Sequence, residues 1–363
     1  MSVYLHHIAT AVPEMAYSQT FIGQIMQGQV AGNRKLERLI HHIYKNSGIA
    51  KRHSVIRDFQ EGAGGLFFSP EKKFKNPGTK ERNELYIEEA KNLTIEASTK
   101  ALNKSTFDKE EITHVITVSC TGFFAPGADY VLVKELGLKA ETERYHLGFM
   151  GCYAAFPALK MARAFCQANP QAVVLVICLE LCTLHMQQTH DLDSIIASSV
   201  FADGAAAALL SAQKGRSHGA LRLEHFATSL IPEGEKDMAW TLGNTGFLMR
   251  LSNYVPQMLE ANMVNAVAPL LKAGGLSKTD IDGWAIHPGG RAILDKVENS
   301  LELCKSQLCA SREVLCEFGN MSSATILFVL EKMIRASGQA DETVYAAAFG
   351  PGLTVESALL ARA

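Results

Sequence analysis

Three short runs of this chain are almost continuously apolar: THVITVSC (113–120), AVVLVICLE (172–180) and DGAAAALLSA (203–212). A strand with one wet face alternates apolar and polar residues, so runs without alternation predict strands that are buried on both faces. Helical patterns at TKERNELYIEEAKNLTIEASTKALNK (79–104) and ADYVLVKELGL (128–138) accompany these strands. The sequence therefore predicts an α/β fold in which helices cover both sides of the sheets.

The same order of elements begins again in the second part of the chain. After the polar segment QKGRSHGA (213–220) come the strand LRLEHFATSLI (221–231) and a long helix at 253–273. They are followed by the strand GWAIH, the helices RAILDKVENSLEL and SSATILFVLEKMIRA, and the strands VYAAAFG and LTVESALLARA. Both parts end on a glycine turn and an apolar strand. We therefore predict an internal duplication into an N-terminal half (1–215) and a C-terminal half (216–363).

One long stretch fits no regular element. QEGAGGLFFSPEKKFKNPG (60–78) is rich in glycine and proline, which interrupt both helices and strands. We predict a surface loop there.

The composition excludes several classes of protein. With 47% hydrophobic residues, 20% charged residues and a net charge of -2, the chain is globular and lacks the basic surface that nucleic acids require. No apolar run approaches the roughly 18 residues of a membrane span, and the N-terminus lacks a signal-peptide pattern. We therefore expect no membrane span and a cytoplasmic location. The eight cysteines form no CxxC pair and have no partners at ligand spacing, so we expect neither disulfides nor a metal site.

Cys152 stands between a glycine and an apolar helical pattern, in LGFMGCYAAFPALKMARAF (147–165). Gly151 allows a tight turn from a strand into that helix. A cysteine at a helix N-terminus lies near the positive end of the backbone dipole, which lowers the thiol pKa and favours the thiolate. The placement indicates a nucleophile, although a small buried core residue is the alternative.

Two further polar residues occupy similar positions. His287 ends the strand of AIHPGGRAILDKVE (285–298), and Asn320 follows a glycine in CEFGNMSSATILFVLEK (316–332). Separately, His287 fits an ordinary turn histidine, and Asn320 with Ser322-Ser323 fits a helix cap. Taken together with Cys152, they suit another chemistry, because a thiolate needs a basic or cationic partner and an acyl oxyanion needs fixed donors.

Four segments carry a family resemblance: FADGAAAALL (201–210), HPGGRAILDKVE (287–298), GNMSSAT (319–325) and FGPGLTVE (349–356). In order and separation they resemble the type III polyketide synthases, the chalcone-synthase-like ketosynthases. The segment 238–256 is more similar to bacterial members that make alkylresorcinols or alkylpyrones than to the plant enzymes. The resemblance implies a thiolase fold, in which two α-β-α-β-α halves pack as five layers, usually in a homodimer. It also implies acyl-CoA and malonyl-CoA as substrates, without a further cofactor or a metal.

The resemblance also assigns roles to residues. Cys152 would carry the acyl chain as a thioester, while His287 and Asn320 would stabilise the thiolate and the oxyanions and assist the decarboxylation of malonyl-CoA. Phe201 takes the place of the family's gatekeeping phenylalanine, and Trp240 that of a cavity glycine in the plant enzymes. The remaining residues expected at the substrate cavity are Thr121, His185, Met249 (in place of a second family phenylalanine) and Ser322.

Binding of the CoA phosphates is assigned to a short basic segment. In YKNSGIAKRH (44–53), Lys45, Lys51 and Arg52 offer three positive charges. A solvated surface without a ligand is the alternative for such a run.

The main functional hypothesis is iterative decarboxylative condensation of malonyl-CoA onto an acyl-CoA starter, followed by cyclisation to a resorcinol, phloroglucinol or pyrone. A single-round 3-ketoacyl-ACP synthase III-like enzyme would use the same three residue types, although FGPGLTVE favours the iterative class. A cysteine peptidase would also present Cys, His and Asn in this order, but the chain lacks the Cys-Gly-Ser-Cys-Trp neighbourhood of papain-like enzymes. An inactive binding protein of the same fold is the fourth reading.

Overall fold

The computed structural model describes residues 1–60, 62–216, 219–336 and 338–363. Its strands are β1 (Tyr4–Ala11), β2 (Ala16–Ser18), β3 (Lys51–His53), β4 (His114–Ser119), β5 (Glu143–Gly148), β6 (Val173–Leu181), β7 (Asp203–Ser211), β8 (Leu221–Leu230), β9 (Met238–Gly243), β10 (Gly246–Leu251), β11 (Gly283–Ile286), β12 (Thr343–Gly350) and β13 (Thr354–Arg362). Its α-helices are α1 (Gln19–Gly28), α2 (Arg34–Lys45), α3 (Thr79–Lys104), α4 (Ala128–Leu136), α5 (Ala155–Ala168), α6 (Leu192–Val200), α7 (Val255–Gly274), α8 (Arg291–Ser300), α9 (Cys309–Phe318) and α10 (Thr325–Arg335).

The large sheet has nine strands in the order β11-β12-β13-β8-β1-β7-β6-β4-β5. On one side, β5, β4 and β6 are parallel, while β7 is antiparallel to both β6 and β1. On the other side, β11 and β12 are parallel, while β13 is antiparallel to both β12 and β8. The two portions meet where Tyr4 and Leu5 of β1 pair with Arg222 and Leu221 of β8. Four strands therefore repeat in the same order, and β5 is an additional edge strand of the first portion.

Helices separate and cover the two portions of the sheet. Helix α3 packs on β1, β6 and β7, and α7 packs on β8 and β13. Between the two portions lie α5, which contacts β4, β6, β7 and β13, and α10, which contacts β1, β7 and β11. The result is the five-layered α/β arrangement of the thiolase fold, as predicted.

The apolar core follows these layers. One cluster includes Ile116 of β4, Leu159 of α5 and Leu327 of α10, all in the middle of the molecule. A second lies under α3, and a third lies under α7 and extends to Cys152 and Phe201. The continuous apolar runs of the sequence are thus strands with a core on each face.

The stretch at 60–78 differs from its prediction. Its backbone is irregular, but Phe67 and Phe68 are fully buried in the core beneath α3. Lys72 Nζ donates hydrogen bonds to the backbone carbonyls of Asp58 and Ala63, which holds the segment against the domain. It is therefore a packed segment and not a simple surface loop. Residue 61 of this stretch, and residues 217 and 218 of the polar segment 213–220, lie outside the described residues.

Candidate active site

Cys152, His287 and Asn320 line one cavity, although the chain separates them widely. Cys152 lies in the turn before α5, His287 directly follows β11, and Asn320 lies between α9 and α10. Their exposed fractions are 6%, 1% and 1%, so all three groups are almost sealed from bulk water. We call this space the catalytic cavity.

The turn that carries Cys152 interlocks with a turn after β12. Gly151 has a φ of +80°, and a Cβ atom there would lie 2.4 Å from Pro351 Cδ. A Cβ atom on Gly350 would lie 2.5 Å from Tyr153 Cδ1. Only glycine tolerates both the left-handed backbone and these close approaches. The glycines beside Cys152 and in FGPGLTVE are therefore needed to seat one turn against the other.

Asn320 is fixed through both its backbone and its side chain. Its N–H donates to the Val200 carbonyl (2.8 Å), and its own carbonyl accepts from the Ala202 N–H (2.8 Å). Asn320 Oδ1 accepts from the Ser322 N–H (2.8 Å), and Nδ2 donates to the Gly289 carbonyl (3.2 Å). This orientation commits the amide oxygen to the backbone, and the amide also forms a hydrogen bond that stabilises the Cys152 thiolate. The second Nδ2 hydrogen can serve either that sulfur or a ligand oxygen.

Ser322 and Ser323 do not cap α10, contrary to the cap interpretation, since α10 has no side-chain cap. Ser322 has a φ of +46° and lines the catalytic cavity. Its hydroxyl oxygen lies 3.6 Å from Cys120 Sγ. The Ser323 hydroxyl donates to Glu180 Oε1. Both hydroxyls therefore face the interior of the site.

The expected low thiol pKa is wrong for the ligand-free protein. Burial raises the pKa of Cys152 to about 12, which outweighs the hydrogen bonds that stabilise its thiolate and any contribution from the helix end. Burial also lowers the pKa of His287 to about 3, and neither ring nitrogen has a hydrogen-bond partner among the described residues. Each group is neutral by itself at pH 7.

The sequence analysis missed a fully buried carboxylate beside the cavity. Glu180 accepts hydrogen bonds from the Cys120 N–H (3.1 Å), Cys120 Sγ (3.2 Å), the Thr121 hydroxyl (2.9 Å) and the Ser323 hydroxyl (2.5 Å). Burial raises its pKa above the usual range for glutamate. The available signal was an acidic residue at the end of the apolar run AVVLVICLE. Cys120 and Cys182, which also line the catalytic cavity, were missed as well.

One wall of the catalytic cavity separates it from a second cavity. Cys182, Phe201, Trp240 and Met249 line both spaces. Trp240 and Met249 are directly opposite each other in the β9–β10 hairpin, and Trp240 Nε1 donates to the Cys120 carbonyl (2.6 Å). The wall is therefore built from three predicted cavity residues, and the indole is held in place.

Sequence models of the chalcone and stilbene synthases match almost the whole chain. The N-terminal domain of these enzymes matches residues 3–214, and the C-terminal domain matches residues 222–363. The chain belongs to the chalcone and stilbene synthase family. Through this membership it is an enzyme of the acyltransferase class.

Individual members of the family agree with this assignment. The chain is 35% identical over 358 residues to the alpha-pyrone synthesis polyketide synthase-like Pks18 of Mycobacterium tuberculosis, covering 97% of this chain and 89% of that protein. The crystal structure of the C-terminal type III polyketide synthase domain of Steely1 from Dictyostelium has a TM-score of 0.93 and 28% identity, covering 100% of this chain and 99% of that one. The crystal structure of PKS-I from the brown alga Ectocarpus siliculosus has a TM-score of 0.92 and 29% identity, and it also covers 100% of this chain and 99% of that one.

The other predicted cavity residues of this family member are distributed between the two spaces. Thr121 and Ser322 line the catalytic cavity, whereas His185 lines only the second. The His185 ring is satisfied by the Thr121 carbonyl (2.7 Å) and the Phe247 N–H (2.9 Å), and it stacks on Phe247 at 4.2 Å between centroids. Burial lowers the pKa of His185 to about 3. His185 is thus a neutral, immobilised part of the wall behind Trp240.

The three predicted CoA-binding cations do not form one cluster. Lys45, at the end of α2, and Lys51, at the start of β3, are exposed, so their ammonium groups are available to phosphate. Arg52 is buried and lines the second cavity. Successive side chains of a β-strand point to opposite faces. Because Lys51 points outward, its neighbour Arg52 points inward.

Two searches complete the description of this synthase-family chain. No helix in the described ranges is both long and apolar enough to cross a membrane. Over the same residues, no three or more His, Cys, Asp or Glu side chains are grouped so that they could hold a metal ion.

Proposed function

We propose that the protein is an iterative type III polyketide synthase that condenses malonyl-CoA onto an acyl-CoA starter. One observation carries the proposal: a thiol, an imidazole with two unpartnered nitrogens and an oriented carboxamide line one nearly dry cavity. The similarity to Pks18 and to solved type III polyketide synthases supports it.

The first step loads the starter. The Cys152 thiol transfers its proton to His287, and its sulfur attacks the carbonyl carbon of the acyl-CoA thioester. The tetrahedral intermediate breaks its bond to the CoA sulfur. CoA leaves as a thiol with the proton returned by His287, and the acyl group remains on Cys152 as a thioester.

The second step generates and uses the carbon nucleophile. Malonyl-CoA loses CO₂, and the electron pair of the broken C–C bond forms an enolate whose charge lies on the thioester oxygen. His287 and the free Asn320 Nδ2 hydrogen donate to that oxygen, and such a donor is worth roughly 3–4 kcal/mol when removed. The enolate carbon attacks the Cys152 thioester, releases the cysteine sulfur and leaves a chain longer by two carbons on CoA.

The dryness of the cavity has a chemical role. An enolate in water is protonated before it meets an acyl group, whereas Phe201, Met249 and the indole of Trp240 surround this one with apolar surface. In a medium of low polarity, the fixed donors also act more strongly than they would in water. The same cavity would hold the extended chain during ring closure.

For the product we favour a pyrone among the resorcinol, phloroglucinol and pyrone classes, because the relative Pks18 is named for alpha-pyrone synthesis. The division into halves at 215 and 216, the homodimer and the cytoplasmic location stay predictions from the sequence.

A panel of acyl-CoA starters with malonyl-CoA tests the proposal. We expect CO₂ release and products whose masses exceed the starter by two or more malonyl-derived units. The Cys152→Ala variant serves as the negative control for product formation. A folded, CoA-binding protein that releases no product with any starter would overturn the proposal, and products with a single added unit would instead support the 3-ketoacyl synthase alternative.

A further inference from the structure

The second cavity lies on the far side of the shared wall from Cys152. It is lined by Arg52, Thr183, His185, Gln187 and Ser194, together with the wall residues. An acyl chain attached to Cys152 would have to pass Phe201 and Trp240 to enter this space. Its lining is more polar than an aliphatic tail requires.

Arg52 is the charged group of this cavity and is held firmly in place. Its Nε donates to Gln19 Oε1 (2.9 Å), and its Nη1 donates to the carbonyls of Ser198 (2.8 Å) and Phe201 (2.6 Å). Its stem packs on Gly319, where a Cβ atom would lie 3.0 Å from Arg52 Cγ. With an exposed fraction of 3%, the guanidinium is fixed in one orientation before any ligand arrives.

The third guanidinium nitrogen has no partner. Arg52 Nη2 is buried and forms no hydrogen bond in the described residues. Asp203 is the acid whose charge acts on Arg52, but its oxygens already accept from the Val55 N–H, the Thr183 N–H and the Thr183 hydroxyl. Tyr44 is a further neighbour, and its hydroxyl forms a hydrogen bond with the Arg52 guanidinium. Burial raises the pKa of Tyr44, so it supplies no counter-charge.

A buried cation with an unused donor needs an anionic oxygen, since an unsatisfied buried donor is costly. We propose that the second cavity binds the far end of a starter acyl chain that terminates in a carboxylate, and that Arg52 Nη2 donates to that carboxylate. The proposal rests on the function proposed above and names its substrate class: CoA thioesters of dicarboxylic acids.

The chemistry of the site favours a carboxylate over a phosphate. One free nitrogen matches a singly charged, planar group, whereas a phosphate dianion needs donors around three oxygens. The exposed Lys45 and Lys51 suit the phosphates of CoA outside the cavity. His185 is neutral and its ring nitrogens are occupied, so Arg52 is the cation that the tail meets.

Matched pairs of starters test the recognition in the unaltered protein. The pairs are succinyl-CoA and butyryl-CoA, glutaryl-CoA and pentanoyl-CoA, and adipyl-CoA and hexanoyl-CoA, which differ only in the terminal group. For at least one length we expect kcat/KM to favour the carboxylate by about tenfold or more, the scale of a charged hydrogen bond. A ratio of one or less at every length would overturn the proposal.

Substitutions separate recognition from a purely structural role. Arg52→Gln keeps a polar side chain without the charge, and Arg52→Lys keeps the charge without the planar, two-armed guanidinium group. We expect Arg52→Gln to bring the carboxylate-to-methyl ratio to about one, and Arg52→Lys to retain part of it. A structural role would lower both members of a pair equally and leave the ratio unchanged, which contradicts the proposal. The exposed Arg57→Gln is the control and should keep the wild-type ratio.

Two further measurements keep the test decisive. If Arg52→Gln does not fold, Ala197→Leu fills the second cavity from its other wall and should abolish the same preference. Equilibrium binding of each CoA pair does not depend on turnover. It is followed by the intrinsic fluorescence of the two tryptophans, Trp240 at the cavity and Trp284 in the core. Tighter binding of the carboxylate member without any product would support carboxylate recognition and reject the proposed function. Products formed without a binding preference would support the proposed function and reject carboxylate recognition.

Discussion

The two halves of the sheet share a strand order but carry different chemistry. In each half, one turn follows a parallel strand, β4 or β11, and another precedes a helix of the middle layer, α5 or α10. The first half places Cys120 and Cys152 at these turns, and the second half places His287 and Asn320 there. All four side chains line the catalytic cavity. The repeated scaffold thus brings four turns to one place, where the proposed nucleophile and its proposed neutral donors come from opposite halves.

The halves also differ in how they hold these turns. Strand β5 leads to Cys152, whereas helix α9 leads to Asn320. The Cys152 turn is seated by close packing of Gly151 against Pro351. The Asn320 backbone instead forms hydrogen bonds with Val200 and Ala202, the residues on either side of Phe201. This is an isolated β-bridge that is not part of a longer strand. Equivalent positions can therefore be fixed by packing in one half and by hydrogen bonds in the other.

The largest effect should come from removing the nucleophile of the first half. Cys152→Ala leaves no atom to carry the acyl group, so we expect condensation to fall on the order of 10⁴-fold or more. Slow decarboxylation of malonyl-CoA should persist, because His287 and Asn320 remain. Product formation and CO₂ release, measured side by side, check this; wild-type turnover by the variant would remove Cys152 from its role.

Removing the base of the second half should have the next largest effect. His287→Ala should lower condensation about 10²–10⁴-fold, since it removes both the proton acceptor and an oxyanion donor. Cys152 in this variant should react with iodoacetamide only in alkali, because burial raises the thiol pKa to about 12. Below that value the thiolate fraction, and hence the rate, rises about tenfold per pH unit.

The wild type supplies the comparison for this alkylation experiment. Proton transfer to His287 should make its Cys152 react faster than the variant's at pH 7 and with a shallower pH dependence. Identical pH profiles for the two proteins would show that the imidazole does not assist the thiol.

Asn320→Ala should cost 10²–10³-fold in rate, on the order expected for one oxyanion donor. The loss should lie in kcat for both decarboxylation and condensation. Asn299→Ala, an exposed substitution on α8, is the matched control. A loss below tenfold would reduce Asn320 to a residue that only orders the Ser322 turn.

The smallest effect is expected at Cys120, the counterpart of His287 in the first half. Burial beside Glu180 raises the pKa of this thiol well above its usual range, so it stays protonated. We expect Cys120→Ser to change condensation by less than about tenfold, because hydrogen bonding to Glu180 is retained. Mass spectrometry after brief alkylation should find the label on Cys152 and not on Cys120; the opposite labelling would reverse the roles of the two turns.

The parts of the fold that were predicted correctly have strong periodic signals. The helix predicted at 79–104 is α3 with the same bounds, and the runs at 113–120, 172–180 and 203–212 are β4, β6 and β7. The edge strand β5, ERYHLG, was missed because one of its sides has no neighbouring strand and its residues are largely exposed. The β9–β10 hairpin, which carries Trp240 and Met249, was recognised only as a family segment.

The candidate site shows the same division. Cys152 and Asn320 were singled out because each directly follows a glycine at the end of an element, and His287 because Pro-Gly-Gly follows it at the end of a strand. The direction of Arg52 and the environment of Glu180 were not found, since a basic run looks the same whether its middle member points outward or inward. The prediction of a low pKa for the Cys152 thiol was wrong. A position at the start of a helix can be read from the sequence, whereas depth of burial depends on contacts from both halves.

The close fit between the Gly151 turn and Pro351 has a consequence for biosynthesis. A ribosome makes Cys152 about two hundred residues before Pro351, so a nascent chain holds this sulfur without the partner turn that seats it. Stalled chains that stop short of Gly350 should therefore remain inert toward acyl-CoA, even with their first sheet formed.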